Sequence, residues 1–164
     1  MRAIIVFFTK SGKTKAIADA MAAGLKESGS EVELSELKVV KKKSKPKNAE
    51  IELQPVQKEL SAYDLLVIGS PVFGLSPKRK IAKAVEAYLR QCSGIEGKKV
   101  AVFLTCFGIP GTALKKISGI IQSRGAIVAD SLVVAYLLSI SAKQFEEAKE
   151  FGKRIAEPQG ATQN

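Results

Sequence analysis

The stretch that decides the fold is Thr9-Lys10-Ser11-Gly12-Lys13-Thr14. It follows an apolar run, residues 3–8, and opens an amphipathic segment that begins near Lys13. A strand, a short loop and a helix in this order direct unpaired backbone N–H groups and the helix dipole at an anion. Gly12 lets the backbone approach a ligand closely, and the hydroxyls and lysines of the loop add donors and positive charge. The loop therefore predicts a phosphate site.

Three other types of loop share part of this pattern. An ordinary strand-to-helix turn with a Ser or Thr cap has the same local pattern, and this alternative stays open. The end of a nucleoside-triphosphate loop also reads Gly-Lys-Thr, but that motif needs a glycine five residues before Gly12, where Phe7 stands. A dinucleotide loop needs further glycines, and Gly12 stands alone. If the loop binds phosphate, a single terminal monophosphate suits its length best.

The length and composition indicate one folded domain. The 164 residues are 46% hydrophobic, enough for a sizeable core, so we predict a domain over residues 1–157 and a flexible tail over 158–164. No apolar run approaches the roughly 20 residues that cross a bilayer, so no transmembrane segment is expected. The N-terminal run is too short for a signal peptide and has no small-residue cleavage site, which predicts a cytoplasmic protein.

The residue types present limit the chemistry. The chain has no histidine and two cysteines, Cys92 and Cys106, which excludes Ser-His and Cys-His nucleophiles and the usual zinc sites. We assign no catalytic residue and no metal site, and expect any chemistry to depend on a bound cofactor. The net charge of +10 favours an acidic partner, an anionic substrate, nucleic acid or a membrane surface, or reflects a solvated basic surface.

Strands and helices are predicted to alternate along the chain. Five apolar or alternating runs are typical of strands: residues 3–8, 31–37, 63–69, 98–104 and 126–135. Helices are predicted after the phosphate loop, over residues 55–60, from Ser76 with Pro77 at its first position, from Thr112, and from a capping box at Ser141. This alternation predicts a parallel sheet with helices on both faces.

Three loops are expected to meet at one edge of that sheet. Residues 9–14, 70–75 and 105–111 each follow a predicted strand and contain glycine. In open parallel sheets, ligands bind at the carboxyl ends of the strands, where the strand order reverses. The three loops therefore form one candidate binding site.

Two of these stretches resemble the flavodoxin family. Residues 9–14 match its phosphate loop, Thr/Ser-x-Thr-Gly-x-Thr, with Ser11 in the third place, and residues 63–74 resemble its third strand and flavin-contacting loop. The resemblance extends over residues 4–156. It implies an α/β three-layer sandwich, with a five-stranded parallel sheet of order 2-1-3-4-5 and helices on both faces.

The resemblance also implies flavin mononucleotide (FMN) as cofactor. The phosphate would lie on residues 9–14 and the isoalloxazine ring between residues 71–74 and 105–108, with Phe73 and Phe107 as candidates to stack on it. The implied cofactor-binding residues are Thr9, Lys10, Ser11, Gly12, Lys13, Thr14, Ser70, Pro71, Val72, Phe73, Gly74, Thr105, Cys106, Phe107 and Gly108.

The charge of the chain departs from that of the family. Its electron carriers tend to be acidic and to place Tyr or Trp against the ring, whereas this chain is basic and has no Trp. Three functions stay open: an electron carrier with an acidic redox protein partner, an FMN-dependent oxidoreductase acting on a small molecule such as a quinone or porphyrinogen, and a flavin-free basic binding module. The basic segment 38–47, predicted to be a mobile docking loop, has no interleaved aromatics, so nucleic acid is not expected.

Overall fold

The computed structural model describes residues 1–41, 50–74 and 78–158. Its elements, in chain order, are β1 (Arg2–Phe7), α1 (Lys13–Glu27), β2 (Glu31–Glu36), β3 (Leu65–Phe73), β4 (Lys80–Ile81), α2 (Lys83–Gln91), β5 (Lys99–Phe107), α3 (Ala113–Ser123), β6 (Ile127–Tyr136) and α4 (Ala142–Ala156).

The sheet has the predicted parallel topology. Its order is β2-β1-β3-β5-β6, which is the order 2-1-3-4-5 for the five parallel strands, and the short β4 adds an antiparallel pairing to β3. The order reverses between β1 and β3, which are adjacent inner strands of the sheet. The carboxyl ends of β1, β3, β5 and β6 therefore lie at one edge, with the phosphate loop at the point of reversal.

Alternating side chains cover the sheet on both faces. Ile4 and Val6 of β1 belong to the core under α2 and α3, while Ile5 and Phe7 belong to the core under α1 and α4. Strands buried on both faces explain the continuous apolar runs of β1, β3 and β5. In contrast, β2 is only partly buried because it lies at the edge of the sheet.

Helices α1 and α4 pack closely on one face. A Cβ added at Gly24 would overlap the carbonyl of Lys149, and one added at Gly152 would overlap the carbonyl of Met21. The two glycines therefore let the helix backbones approach each other. The predicted capping box of α4 is confirmed: the Ser141 hydroxyl accepts the Gln144 N–H, and the Gln144 side chain accepts the Ser141 N–H.

The helix predicted over residues 55–60 is wrong. Backbone groups in this region bond to distant segments instead: Leu60 N–H donates to the Ser93 carbonyl, and Ser93 N–H donates to the Lys58 carbonyl. Gln54 N–H likewise donates to Lys38. No helix occurs between β2 and β3 in residues 37–41 and 50–64, so the described ranges contain four helices rather than five.

The predicted start of the next helix is also wrong. Ser76 and Pro77 lie outside the described residues, but residues 78–82 are not helical, and α2 begins at Lys83. Ile81, predicted to lie on this helix, pairs with Val72 in β4. The buried Ser70 hydroxyl accepts the Ala82 N–H at 2.9 Å, which sets the entry to α2.

Two predicted loops begin later than expected because β3 and β5 are longer than their apolar runs. Residues 70–73 continue β3, where Pro71 pairs with Thr105 and Phe73 with Lys80. Residues 105–107 continue β5, ending where Phe107 pairs with Tyr136. The two strands are extended by hydrogen-bonded pairing with neighbouring strands, and the local sequence gives no sign of this pairing.

Some predictions concern residues that the structure does not describe. Most of the basic segment 38–47 lies in residues 42–49, and the tail lies mainly in residues 159–164, so both stay predictions, as does the domain boundary at residue 157. No helix within residues 1–41, 50–74 and 78–158 has the length and apolarity needed to cross a bilayer.

Candidate cofactor site at the carboxyl edge of the sheet

The loop predicted to bind phosphate, residues 9–14, is a tight turn built on Gly12; we keep the name phosphate loop for it. Gly12 adopts the left-handed conformation at φ 87° and is the N-cap of α1. Its N–H donates to the Thr9 hydroxyl at 3.0 Å, and its carbonyl accepts the Ala16 N–H at 3.0 Å. The backbone N–H groups of the first three helical residues, 13–15, have no acceptor among the described residues, and no side chain caps the helix. These amides are free to bind an anion.

The three hydroxyls of the loop make different hydrogen bonds. The Thr9 hydroxyl accepts the Gly12 N–H. The Thr14 hydroxyl is buried and lies 2.8 Å from the Thr105 hydroxyl, which ties the first turn of α1 to β5. Ser11 is exposed, and its hydroxyl has no partner in the described part of the chain. Ser11 and the free amides are thus the donors most available to a phosphate.

The second predicted segment, residues 70–74, is partly structural. Ser70 is fully buried and bonds to Ala82 N–H and to the Pro71 carbonyl, so its hydroxyl faces the protein. Val72 is buried in the α2–α3 core. Phe73 is half-buried, and the Lys10 ammonium lies 5.7 Å from its ring centroid. Phe73 is therefore the side chain of this segment that meets the phosphate loop.

The third segment, residues 105–108, passes from the buried interior to the surface. Thr105 and Cys106 are buried, whereas 58% of Phe107 is exposed. Burial raises the pKa of the Cys106 thiol, which keeps it protonated and unreactive near neutral pH. Gly108 has a left-handed φ of 73° and its N–H donates to the Tyr136 carbonyl at 3.0 Å.

Sequence reasoning missed Tyr136. Its ring lies 6.5 Å from that of Phe107, edge-on at 71°, and the Lys13 ammonium lies 5.1 Å from its centroid. Tyr136 ends β6, so its strand reaches the same edge as the other three segments. The rule that ligands bind at the carboxyl ends of parallel strands would have identified it.

Sequence reasoning places Arg79 beside the proposed ring site together with Lys78 and Lys80, but it missed the burial of this side chain. This side chain is 9% exposed and donates to the carbonyl of Phe107 at 2.8 Å and to that of Val72 at 3.5 Å. Its Nε is buried without a partner, and no carboxylate in the described residues pairs with it. A buried, unpaired guanidinium is costly unless a negative charge compensates it. The Arg side chain thus marks an anion-favouring position between the ends of β3 and β5.

The structure brings the three predicted segments together. Thr14 contacts Thr105, Lys10 lies over Phe73, and Pro71 is the register partner of Thr105. Aromatic rings, lysines and free amides meet at this edge, while Ser70, Val72 and Cys106 are buried beneath it. No group of three or more metal-ligating side chains occurs in residues 1–41, 50–74 and 78–158.

Comparison with known proteins adds sequence and structural relatives. The chain is 25% identical over 156 residues to an uncharacterized protein of Methanocaldococcus jannaschii, covering 95% of this chain and 36% of that protein. The chain thus spans about a third of the length of that relative. No model of a known protein family matches the chain.

Several solved structures share the fold. A flavodoxin from the domain Archaea superposes with a TM-score of 0.70 at 25% identity, covering 95% of this chain and 96% of that chain. Two-electron reduced Megasphaera elsdenii flavodoxin gives a TM-score of 0.70 at 20% identity, covering 95% and 99%. A Lactobacillus acidophilus flavoprotein in complex with FMN gives 0.61 at 23% identity, covering 80% and 92%.

Proposed function

We propose that this flavodoxin-like chain binds FMN and takes part in electron transfer through it. The observation that carries the proposal is the turn at Gly12, whose free helix-start amides lie beside an aromatic cluster where the strand order reverses. The structural relatives include flavodoxins and a flavoprotein that holds FMN. FMN, when bound, supplies the redox chemistry, and this chain binds and orients it.

The residues present fit the phosphate of FMN. A Cβ built at Gly12 would meet no protein atom within 4 Å, so the turn faces open space. The amides of residues 13–15, the Ser11 hydroxyl and the lysines at 10 and 13 surround this turn with donors and positive charge. An anion at a helix N-terminus is stabilised by these groups and by the helix dipole.

The residues at the strand ends also fit a flavin ring. Phe73, Phe107 and Tyr136 present aromatic surface on which a planar ring stacks. The buried positive charge of Arg79 favours a nearby group that carries negative charge. The chain would thus hold the phosphate by backbone amides, the ring by aromatic contact, and the ring's charge by Arg79.

The proposal is tested by comparing FMN with riboflavin, which lacks the phosphate. We expect the protein to bind FMN much more tightly than riboflavin, and Gly12→Ala to abolish that preference because a Cβ enters the phosphate space. Gly29→Ala is the matched control, since Gly29 also has positive φ (82°) and open space but lies at the opposite edge of the sheet. Equal affinity of the parent protein for FMN and riboflavin would refute the phosphate site.

A second candidate function is an FMN-dependent oxidoreductase acting on a small molecule of the quinone or porphyrinogen type. The buried charge of Arg79 favours it, because a fixed cation stabilises the anionic, two-electron reduced form of a flavin. Rapid oxidation of NADH or NADPH by the FMN-loaded protein with a quinone acceptor would support the enzyme, and absence of turnover would support the carrier. A purified protein that binds no flavin would instead support the flavin-free binding module.

The cytoplasmic location stays a prediction.

A further inference from the structure

Three large apolar side chains are exposed beside the candidate cofactor site. Ile109 is 60% exposed, Leu137 70% and Leu138 93%; we call these three the apolar tip, and Phe107 beside them is the side chain already assigned to the flavin ring. They come from the two segments that leave β5 and β6 side by side, where Phe107 pairs with Tyr136 and Gly108 N–H donates to the Tyr136 carbonyl. Exposed apolar side chains that cluster in this way mark interaction surfaces.

Positive charges surround the apolar tip. Lys13 lies over Tyr136, Arg79 donates to the Phe107 carbonyl, and the Lys116 ammonium donates to the Arg79 carbonyl at 3.1 Å. The segments that reach this edge from β1, β3, β5 and β6 contain no Asp or Glu: residues 1–18, 69–85, 100–129 and 131–145. These segments therefore supply no acidic side chain to the edge; bound FMN would offset the lysines of the phosphate loop but not Lys116.

The positive surface continues into a groove between α2 and α3. A cavity of about 750 Å³ there is lined by Arg90, Lys115, Lys116 and Arg124 together with Thr112 and Ile120. Arg90 pairs with Glu86 and Arg124 lies 3.7 Å from Glu96, whereas Lys115 is exposed and has no partner among the described residues. Lys115, in the first turn of α3, thus brings an unpaired positive charge to the groove.

We propose that the apolar tip, with Lys115 and Lys116 as its lysine rim, is the docking surface for an acidic protein. An apolar patch of that protein would cover the tip, and its carboxylates would contact the rim and the groove. Charge complementarity selects this occupant, because a second copy of the chain would bring like charges together. An apolar centre with a charged rim is also the usual arrangement of a protein interface. The inference rests on the proposed function in that the partner would exchange electrons at this edge.

The test uses the FMN-loaded protein and an oxidised acidic ferredoxin as the probe, with a basic c-type cytochrome as its charge control. Both proteins are oxidised, so binding alone is measured, by isothermal titration and by amide chemical shifts. We expect the ferredoxin to bind at an ionic strength of about 0.01 M, to lose affinity as salt screens the charges, and to shift amides around residues 107–109 and 136–138. The cytochrome should not bind.

Matched variants separate the tip from the rest of the surface. Replacing Leu137 and Leu138 by Ser should weaken ferredoxin binding at least about fivefold, whereas Ile127→Ser, 56% exposed at the other end of β6, should not change it. Lys116→Gln should weaken binding several-fold at low salt and not at high salt, unlike Lys99→Gln at the amino end of β5.

Each other outcome overturns the docking surface. Equal binding of ferredoxin and cytochrome, or shifts away from the tip, would refute the acidic partner. Sedimentation of the protein with anionic vesicles, lost when Leu137 and Leu138 become Ser, would assign the tip to a membrane. A dimer that the same substitutions dissociate would assign it to a second copy. The flavin spectrum of each sample shows separately whether FMN binds, so a failure of the cofactor proposal is not confused with a failure of docking.

Discussion

Arg79 is expected to raise the reduction potential of bound FMN. The guanidinium is nine-tenths buried and has no carboxylate partner in residues 1–41, 50–74 and 78–158, so its charge is only weakly screened by water. At an assumed separation of about 8 Å and an effective dielectric constant of about 20, a unit charge stabilises an anion by about 2 kcal/mol. For a two-electron couple this corresponds to about 45 mV. Arg79→Gln should therefore lower the midpoint potential by about that amount.

The assay is an anaerobic redox titration of the FMN-loaded variants followed by the flavin spectrum. Arg79→Lys keeps the positive charge but loses the forked guanidinium that donates to the carbonyls of Val72 and Phe107. The midpoint potential of this variant should therefore stay close to that of the parent protein. Lys99→Gln removes an exposed charge at the opposite edge and should change the potential little. Far-UV circular dichroism checks that each variant folds. A folded Arg79→Gln protein with an unchanged potential would show that this charge does not act on the flavin.

Three further predictions concern stability. In urea unfolding, Gly152→Ala should destabilise the protein by about 1–3 kcal/mol or more, because the added Cβ overlaps the Met21 carbonyl. The control Gly119→Ala on α3 places its Cβ in open space and should stabilise the protein by about 0.8–1 kcal/mol. Equal effects of the two substitutions would contradict the close α1–α4 packing. Thr14→Val should cost about 1–3 kcal/mol by leaving the buried Thr105 hydroxyl without its partner, and a double-mutant cycle with Thr105→Val should show coupling between the two sites. Hydrogen bonds from Ser61 and Ser93 lower the pKa of Glu59 from 4.5 to about 2. The ionised Glu59 therefore stabilises the fold above pH 4.5, and this contribution is lost as the pH falls towards 2. Glu59→Gln should remove that part of the pH dependence of unfolding, and an unchanged profile would refute the assignment.

Local patterns were sufficient for the elements whose stability comes from nearby residues. The apolar run before Thr9 and the glycine at position 12 predict β1, a turn and α1, because both signals are carried by consecutive residues of the sequence. The capping box at Ser141 was predicted for the same reason, since both of its hydrogen bonds join residues three apart. Alternation of strands and helices then restricts the sheet to parallel topologies.

Contacts between distant residues decided the rest. Strand β3 extends through Phe73, and α2 starts late, because Ile81 and Ala82 bond back to Val72 and Ser70. The segment after Gln54 stays irregular since its backbone bonds to residues near Ser93 rather than to itself.

The candidate site shows the same division. Sequence alone predicted the three segments that meet at this edge, residues 9–14, 70–75 and 105–111, because each follows a strand directly. Only the tertiary structure showed that Tyr136 joins Phe107, that Ser70 faces the protein, and that Arg79 lies buried rather than solvated like the neighbouring Lys78 and Lys80. Whether a charged side chain turns inward depends on which carbonyls are left unpaired at the strand ends, and those carbonyls are defined by strand pairing, not by the residues beside it in the chain.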